Sequence, residues 1–208
     1  QKWRVINCKD SMTTSTLQFA RVEDAREILA LYSTYIDTAI TFELEVPSLE
    51  DFSQRIASIS QDYPYLVCKK DGAIVGYAYA HKFKERPAYQ WDAELSIYLD
   101  SRVHTRGLGK QMYLCLMDIL RIQRVHNVYG IVTLPNKKSQ RLHESLGFSP
   151  AGVMHRTGFK NGAWRDVAWF EKTILPYEDE PRAFLPINMI DNKLTASILE
   201  TYTACINA

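Results

Sequence analysis

The chain has 208 residues, of which 46% are hydrophobic and 12% aromatic, as is typical of a compact globular protein. Its 25 Lys and Arg residues are balanced by 24 Asp and Glu residues, which leaves a net charge of +1. Such a balance excludes a general electrostatic attraction to nucleic acids or to anionic membranes. We find no run of 18 apolar residues and no signal-peptide pattern, so we predict a cytoplasmic protein with no nucleic-acid or membrane partner.

The four cysteines are widely spaced and form no Cys-x-x-Cys or Cys/His ligand pattern. Cys68 and Cys115 lie in apolar segments, as small core residues do, whereas Cys8 and Cys205 lie near the ends of the chain. We therefore expect neither a disulfide framework nor a metal site.

Apolar periodicity predicts a strand, two helices, three strands, a helix, a strand, a helix and two strands, in that order. The second helix begins at a pattern that resembles a capping box, formed by Ser48 and Asp51. Hairpins are predicted over residues 65–80 and around the Asn161-Gly162 turn. This order indicates an α/β fold with a mixed sheet and helices on both faces.

We divide the chain into three parts. Residues 1–15 are expected to be an N-terminal extension, with Met12 as a plausible natural start, and residues 16–175 form the folded domain. Residues 176–208 are expected to be a C-terminal extension, made of a proline-rich acidic linker and a short helix. The sequence leaves open whether this extension covers the active site, swaps between subunits or hangs free.

The most informative segment is the turn between a predicted strand that ends at Leu99 and a predicted helix that begins at Leu108. It contains Arg106-Gly-Leu-Gly109, whose bare backbone N–H groups at a helix N-terminus suit a pyrophosphate. No Lys-Ser/Thr follows, so this is not a Walker A motif, and the third glycine of a dinucleotide fingerprint is missing. A glycine pair by itself can equally just end a strand. Glu94, on the strand before the turn, is a candidate base.

This segment resembles the acetyl-CoA signature of the GNAT N-acetyltransferases, Gln/Arg-x-x-Gly-x-Gly/Ala, with His104 at the first position. The second half of the signature matches residues 136–148, with His143 where tyrosine is usual. The resemblance implies the GNAT fold, with a mostly antiparallel central sheet, and acetyl-CoA as co-substrate. The cofactor-binding residues that it implies are Ile97, Tyr98, Leu99, Thr105, Arg106, Gly107, Leu108, Gly109, Lys110, Asn136 and Ser139.

Six further blocks resemble the phosphinothricin acetyltransferase group, which includes enzymes that act on methionine sulfoximine and sulfone. They are residues 41–43, 63–67, 84–89, 91–94, 134–136 and 158–167. The resemblance runs from about residue 19 to residue 175. It implies a homodimer that acetylates the α-amine of a small amino-acid analogue by direct transfer.

Two residues are candidates for the chemistry. An amine must lose a proton before it attacks a thioester, and Glu94 stands where the resembling enzymes have their base. The alternative for Glu94 is a salt-bridged carboxylate at the end of a strand. His143 is expected to donate a proton to the departing thiolate or to assist the base; it could equally bond a backbone carbonyl. Backbone N–H groups of residues 97–99 would orient the thioester carbonyl.

Three residues are implied for the acceptor. Arg86 can clasp a carboxylate or phosphinate in bidentate fashion, Tyr89 can add a hydrogen bond, and Phe42 can form an apolar wall. Without the resemblance, Arg86 could be a solvated loop residue and Phe42 a core residue.

Alternative functions stay open at this point. A GNAT enzyme could act on a protein N-terminus, a polyamine or an aminoglycoside, although Arg86, Lys82 and Lys84 favour an anionic acceptor. The chain could also be a CoA-binding regulatory module without turnover, against which the presence of Glu94 argues. A purely structural interaction protein would leave the ordered set of motifs unexplained.

Overall fold

The computed structural model describes residues 14–103 and 107–208. Seven strands and five α-helices are formed by these residues. In chain order they are β1 (Ser15–Phe19), α1 (Ala25–Ser33), α2 (Leu49–Asp62), β2 (Tyr65–Lys70), β3 (Ala73–Lys82), β4 (Asp92–Leu99), α3 (Leu108–Ile122), β5 (Asn127–Thr133), α4 (Lys137–Ser145), β6 (Ser149–Lys160), β7 (Ala163–Thr173) and α5 (Asn192–Asn207).

The strands form one sheet in the order β1-β2-β3-β4-β5-β7-β6. Neighbouring strands are antiparallel except for β4 and β5, which are parallel. One face of the sheet packs against α3, and the other packs against α1 and α2. The predicted mixed, mostly antiparallel sheet with helices on both faces is confirmed.

Local sequence explains several of the element boundaries. The hydroxyl of Ser48 accepts a hydrogen bond from the N–H of Asp51 at 3.0 Å, which is the N-cap expected for α2. Strand β6 begins at Ser149 and includes Pro150. Proline lacks the N–H that a central strand needs, but β6 is the outermost strand and tolerates it.

The parallel pair β4–β5 is split. Its ladder joins Asp92–Leu95 to Asn127–Gly130 and goes no further, although β4 continues to Leu99 and β5 to Thr133. The carboxyl-terminal halves of the two strands therefore lack each other as partners. This split leaves backbone groups available at the C-terminal end of the parallel pair, where open α/β sheets bind ligands.

The C-terminal helix α5 covers the outer edge of β1. The side chain of Asn207 accepts from the N–H of Ser15 and donates to its carbonyl, both at 2.8 Å. The hydroxyl of Thr203 accepts from the N–H of Leu17 at 2.9 Å. Helix α5 thus supplies the hydrogen bonds that another strand would otherwise make.

Residues 182–185, which we call the strap, fasten the segment before α5 to the domain. The N–H of Phe184 donates to Oε1 of Gln90 at 3.0 Å, and Nε1 of Trp91 donates to the carbonyl of Arg182 at 2.9 Å. Gln90 and Trp91 directly precede β4 and follow the segment in which Arg86 and Tyr89 lie. These hydrogen bonds show that the C-terminal extension is attached to the domain and does not hang free.

Candidate active site

The floor of the site is the α1/α2 face of β3 and β4. Residues directly opposite each other in an antiparallel pair share a face, and here Tyr79 lies opposite Ser96 and His81 opposite Glu94. The Glu94 side chain is 20% exposed and that of His81 is 32% exposed. Nε2 of His81 lies 3.6 Å from Oε1 of Glu94, so the candidate base has an ion-pair partner within its own sheet.

A second wall comes from the loop after α1, which the far end of β6 holds in place. Phe42 packs against Gly158, where a Cβ atom would come within 2.3 Å of the phenyl ring. Nζ of Lys160 donates to the carbonyl oxygens of Thr41 and Glu43 at 2.7 and 2.6 Å. Phe42 is 39% exposed, so its ring is fixed yet still presents an apolar surface.

The turn that carries Arg86 and Tyr89 joins β3 to the beginning of β4 and is anchored through Phe83. The Phe83 ring stacks on Tyr129 with centroids 4.1 Å apart and meets Tyr89 edge-on at 6.2 Å. Tyr129 on β5 is the ladder partner of Glu94, so this stack brings the turn to the strands that bear the carboxylate. Arg86 is exposed and makes no ion pair with any described residue.

Backbone directions at the end of β4 follow from its partners. The N–H of Asp100 donates to the carbonyl of Val75 on β3, so the peptide groups of Leu99 and, two residues back, of Ile97 point to the split. At Leu99 these groups meet the hydroxyl of Tyr35, which donates to its carbonyl and accepts from its N–H at 3.3 Å. The N–H and carbonyl of Ile97 also face the split, but the Tyr35 hydroxyl does not reach them. Of the residues predicted to orient the thioester carbonyl, Ile97 therefore has its backbone groups free of this hydroxyl.

The glycines of the turn bring α3 close to β4. Gly107 precedes the helix with φ of +77°, a conformation that favours glycine. A Cβ atom on Gly109 would come within 3.2 Å of the Leu99 side chain. No side chain of the described residues caps the first-turn N–H groups of α3, which point toward the same end of β4 as the split. The predicted contacts of Thr105 and Arg106 lie outside the described residues.

The other predicted cofactor residues on β4 and α3 differ in exposure. The Leu108 side chain is buried in the core, and Tyr98 stacks on Tyr77 on the face opposite to α3. Only their backbone groups are therefore available to a ligand at the split. Lys110 is exposed in the first turn of α3.

On α4 the predicted residues form a local network. The side-chain oxygen of Asn136 accepts from the N–H of Ser139 at 3.1 Å and so caps the helix. Nδ1 of His143 lies 2.8 Å from the Ser139 carbonyl, which can only accept, so Nδ1 carries the proton. Nε2 is buried without a partner among the described residues, against Gly130, where a Cβ atom would lie 2.0 Å away. Burial lowers the pKa of His143, which favours a neutral ring.

Comparison with known proteins decides the family. Residues 17–169 match the GNAT acetyltransferase domain. The chain belongs to the GNAT acetyltransferase family. The prediction of an N-acetyltransferase of this family is confirmed.

Individual relatives of this GNAT chain are about 30% identical to it. A phosphinothricin N-acetyltransferase of Streptomyces viridochromogenes is 31% identical, over 82% of this chain and 93% of that one. An L-methionine sulfoximine/L-methionine sulfone acetyltransferase of Pseudomonas paraeruginosa is 29% identical, over 81% and 99%. The crystal structure of a phosphinothricin acetyltransferase from Sinorhizobium meliloti in complex with acetyl-CoA has a TM-score of 0.74 and 33% identity, and covers 77% of this chain and 88% of that one.

The GNAT site contains one buried hydroxyl that sequence reasoning did not single out. Tyr113 on α3 is 2% exposed and donates to the carbonyl of Leu95 at 3.4 Å, at the last ladder position before the split. Its ring meets that of His143 edge-on at 5.6 Å. Burial raises the pKa of Tyr113 far above its usual value, so the hydroxyl keeps its proton. In the sequence, only its aromatic character next to a glycine turn distinguished it from ordinary core residues.

None of the helices formed by residues 14–103 and 107–208 is both long and apolar enough to cross a membrane. Within the same residues, no group of three or more His, Cys, Asp or Glu side chains is placed to hold a metal ion.

Proposed function

We propose that this GNAT enzyme transfers acetyl from acetyl-CoA directly to the α-amine of a small anionic amino-acid analogue, of the phosphinothricin, methionine sulfoximine or methionine sulfone type. The observation that carries the proposal is the position of Glu94. Glu94 lies on the floor of the site, next to Leu95, after which β4 and β5 separate. Its ladder partner Tyr129 stacks on Phe83, which anchors the turn that carries Arg86.

The described residues fit acetyl-CoA. Gly109 lets α3 approach β4 closely, since a Cβ atom there would come within 3.2 Å of the Leu99 side chain. The first-turn N–H groups, which no described side chain caps, suit a pyrophosphate. The peptide groups of Ile97 face the split, where an N–H can orient a thioester carbonyl. Acetyl-CoA supplies an acetyl group activated as a thioester.

Glu94 is proposed as the base. The α-amine of an amino acid is mostly protonated at neutral pH, since its pKa is about 8. A carboxylate that accepts one proton makes the nitrogen a nucleophile. Arg86, exposed and without an ion-pair partner in the described chain, would bind the acceptor's carboxylate or phosphinate. Tyr89 and the Phe42 ring would add a hydrogen bond and an apolar wall.

Direct transfer is supported by the state of the buried thiols. Burial raises the pKa of Cys68 to about 11 and that of Cys115 to about 12, so both stay protonated near neutral pH and are poor nucleophiles. Both are also fully buried in the core, away from the surface of the split. These properties argue against an acetyl-cysteine intermediate at either residue.

Departure of the CoA thiolate needs a proton, because the thiol has a pKa of about 8.5. We assign this donation to the Tyr113 hydroxyl, which is protonated and lies at the head of the split. His143 holds its proton on Nδ1 toward Ser139, so its free nitrogen, Nε2, can accept a proton but not donate one. His143 lies against Gly130, on the face of the sheet opposite to Glu94, and its ring meets that of Tyr113 edge-on. We therefore propose that His143 positions the Tyr113 ring and does not itself protonate the leaving group.

We also propose a homodimer formed through β6. This outermost strand exposes apolar side chains, with Val153 and Met154 both 44% exposed, and Trp164 on the adjoining strand is 62% exposed. A second copy could cover this patch and extend the sheet. Light scattering of the purified protein would measure twice the monomer mass if the proposal is correct.

The proposed function is tested by measuring thiol release from acetyl-CoA with a panel of acceptors. We expect turnover with methionine sulfone, methionine sulfoximine or phosphinothricin and none with spermidine, kanamycin or a short peptide. Turnover of only the last three would keep the family but overturn the proposed acceptor. Binding of acetyl-CoA without any turnover would instead indicate a regulatory module.

Two variants test the assigned roles. Glu94→Gln should lower kcat by at least about a hundredfold while acetyl-CoA still binds, because the loss of a general base typically costs that much. Arg86→Ala should chiefly raise KM for the acceptor. Glu200→Gln, an exposed glutamate on α5, is the matched control and should behave as wild type. Unchanged kcat in Glu94→Gln, or unchanged KM in Arg86→Ala, would remove that residue from its role.

A further inference from the structure

His81 and Glu94 form a pair whose function nothing above explains. They lie directly opposite each other on β3 and β4, with 3.6 Å between Nε2 and Oε1. Register fixes both side chains on the face that carries the acceptor site, so their proximity does not depend on a flexible loop. Distances between catalytic groups of this kind often shorten when substrate binds.

The hydrogen bonds of His81 define which nitrogen holds its proton. Nδ1 lies 3.0 Å from the carbonyl oxygen of Lys82, which can only accept, so Nδ1 is protonated. A neutral His81 therefore presents the lone pair of Nε2 to Glu94, and a charged His81 presents an N–H. Two lone pairs facing each other repel, so this geometry favours the uptake of one proton between the ring and the carboxylate.

The surroundings of His81 are few and identifiable. They are the Glu94 carboxylate on β4, the Lys82 carbonyl, and the ring of Tyr79, 5.8 Å away on its own strand. Burial raises the pKa of Tyr79, which therefore stays neutral. Burial disfavours the charged form of His81, but Glu94 and the Lys82 carbonyl outweigh it and raise the pKa of His81 above its usual value.

We propose that His81 takes up the proton that Glu94 removes from the acceptor and passes it to solvent. The inference rests on the proposed function. Glu94 accepts a proton from the ammonium; Nε2 of His81 then accepts it from Glu94, which returns to the carboxylate. The amine forms its bond to the acetyl carbon, and the bond from carbon to sulfur breaks. The Tyr113 hydroxyl gives its proton to the thiolate, and the nitrogen's second proton restores that hydroxyl. One proton per turnover is thus left for His81, whose side chain is more exposed than that of Glu94.

His81 acts through Glu94 and is a positioning residue in this scheme. A charged His81 cannot accept a proton, so kcat should fall as the pH drops through the raised pKa of His81. In His81→Gln we expect kcat at pH 7.5 to be about tenfold lower, with KM for acetyl-CoA unchanged and without this acidic limb. His155→Gln is the matched control, since His155 also pairs with a carboxylate, Asp166, at 3.1 Å but on β6 and β7.

A direct titration provides a readout that does not require turnover. NMR of the histidine ring protons, assigned with His81→Gln, should give a pKa above about 6.5 for His81 in the wild type. That pKa should fall by at least half a unit in Glu94→Gln. An unchanged pKa would overturn the shared proton, even if His81→Gln failed to fold. If His81→Gln kept the wild-type kcat and pH profile, the proposed proton transfer from Glu94 to His81 would be overturned, but the proposed function would stand. If the wild type turned over none of the acceptors, both the proposed function and this proton transfer would be overturned.

Discussion

Lys160 offers the sharpest test of how the acceptor wall is held. Its side chain is 4% exposed, and its ammonium donates to two carbonyl oxygens of the loop that carries Phe42, those of Thr41 and Glu43. Lys160→Met keeps the length of the stem and removes both bonds. Each buried carbonyl left unpaired costs about 1–3 kcal/mol, and Glu43 is only partly buried, so we expect the free energy of unfolding to fall by about 2–4 kcal/mol.

The functional effect should be confined to the acceptor. Loosening of the loop frees Phe42 from Gly158, so KM for the acceptor should rise at least about fivefold while KM for acetyl-CoA stays the same. Lys172→Met is the matched control, because the Lys172 ammonium also donates to a backbone carbonyl, that of Leu146, far from this loop. The assays are urea unfolding followed by fluorescence and steady-state kinetics. Equal changes of acceptor KM in both variants, or no loss of stability in Lys160→Met, would refute the reasoning.

Three further variants address the split and the strap. Tyr113→Phe should lower kcat about tenfold or more, because it removes the proposed proton donor. It should destabilise the fold by less than about 1 kcal/mol, because the hydrogen bond to the Leu95 carbonyl is long at 3.4 Å. Unchanged kcat would exclude the hydroxyl as proton donor. Gly130→Ala places a methyl group 2.0 Å from Nε2 of His143, so urea unfolding should show a loss of about 1–3 kcal/mol, and full stability would mean that the ring moves freely. Trp91→Phe removes the bond from the acceptor segment to the strap and should raise acceptor KM about threefold; a change in KM for acetyl-CoA alone would contradict this placement.

The order of the elements could be predicted because it depends on local chemistry. The Ser48 cap and the turns at Gly72 and Gly162, both with positive φ, are visible in any short window of sequence. The start of β6 at Ser149 has no such local signal, because Pro150 argues against a strand unless the strand is known to lie at the edge of the sheet.

The candidate site depended on register and on contacts between distant segments. Glu94 and the glycine turn could be proposed from motif spacing. His81 became a partner of Glu94 only through the pairing of β3 with β4, and alternation along β3 alone does not predict it. Tyr35 and Tyr113 fit helical periodicity as core residues, and the carbonyls that their hydroxyls reach lie 64 and 18 residues away. The sequence carries no local signal of such contacts.

The helix α5 determines how many copies a strand-mediated assembly can contain. A sheet with two open edges can add strands at both ends, and such growth has no natural stop. Here Asn207 and Thr203 occupy the outer edge of β1, so β6 is the one open edge of the sheet that residues 14–103 and 107–208 form. Two copies that meet through β6 leave only closed edges behind, and the assembly ends at two. For the proposed β6 dimer, the cover that α5 gives to β1 would therefore prevent open-ended polymerisation through strand pairing.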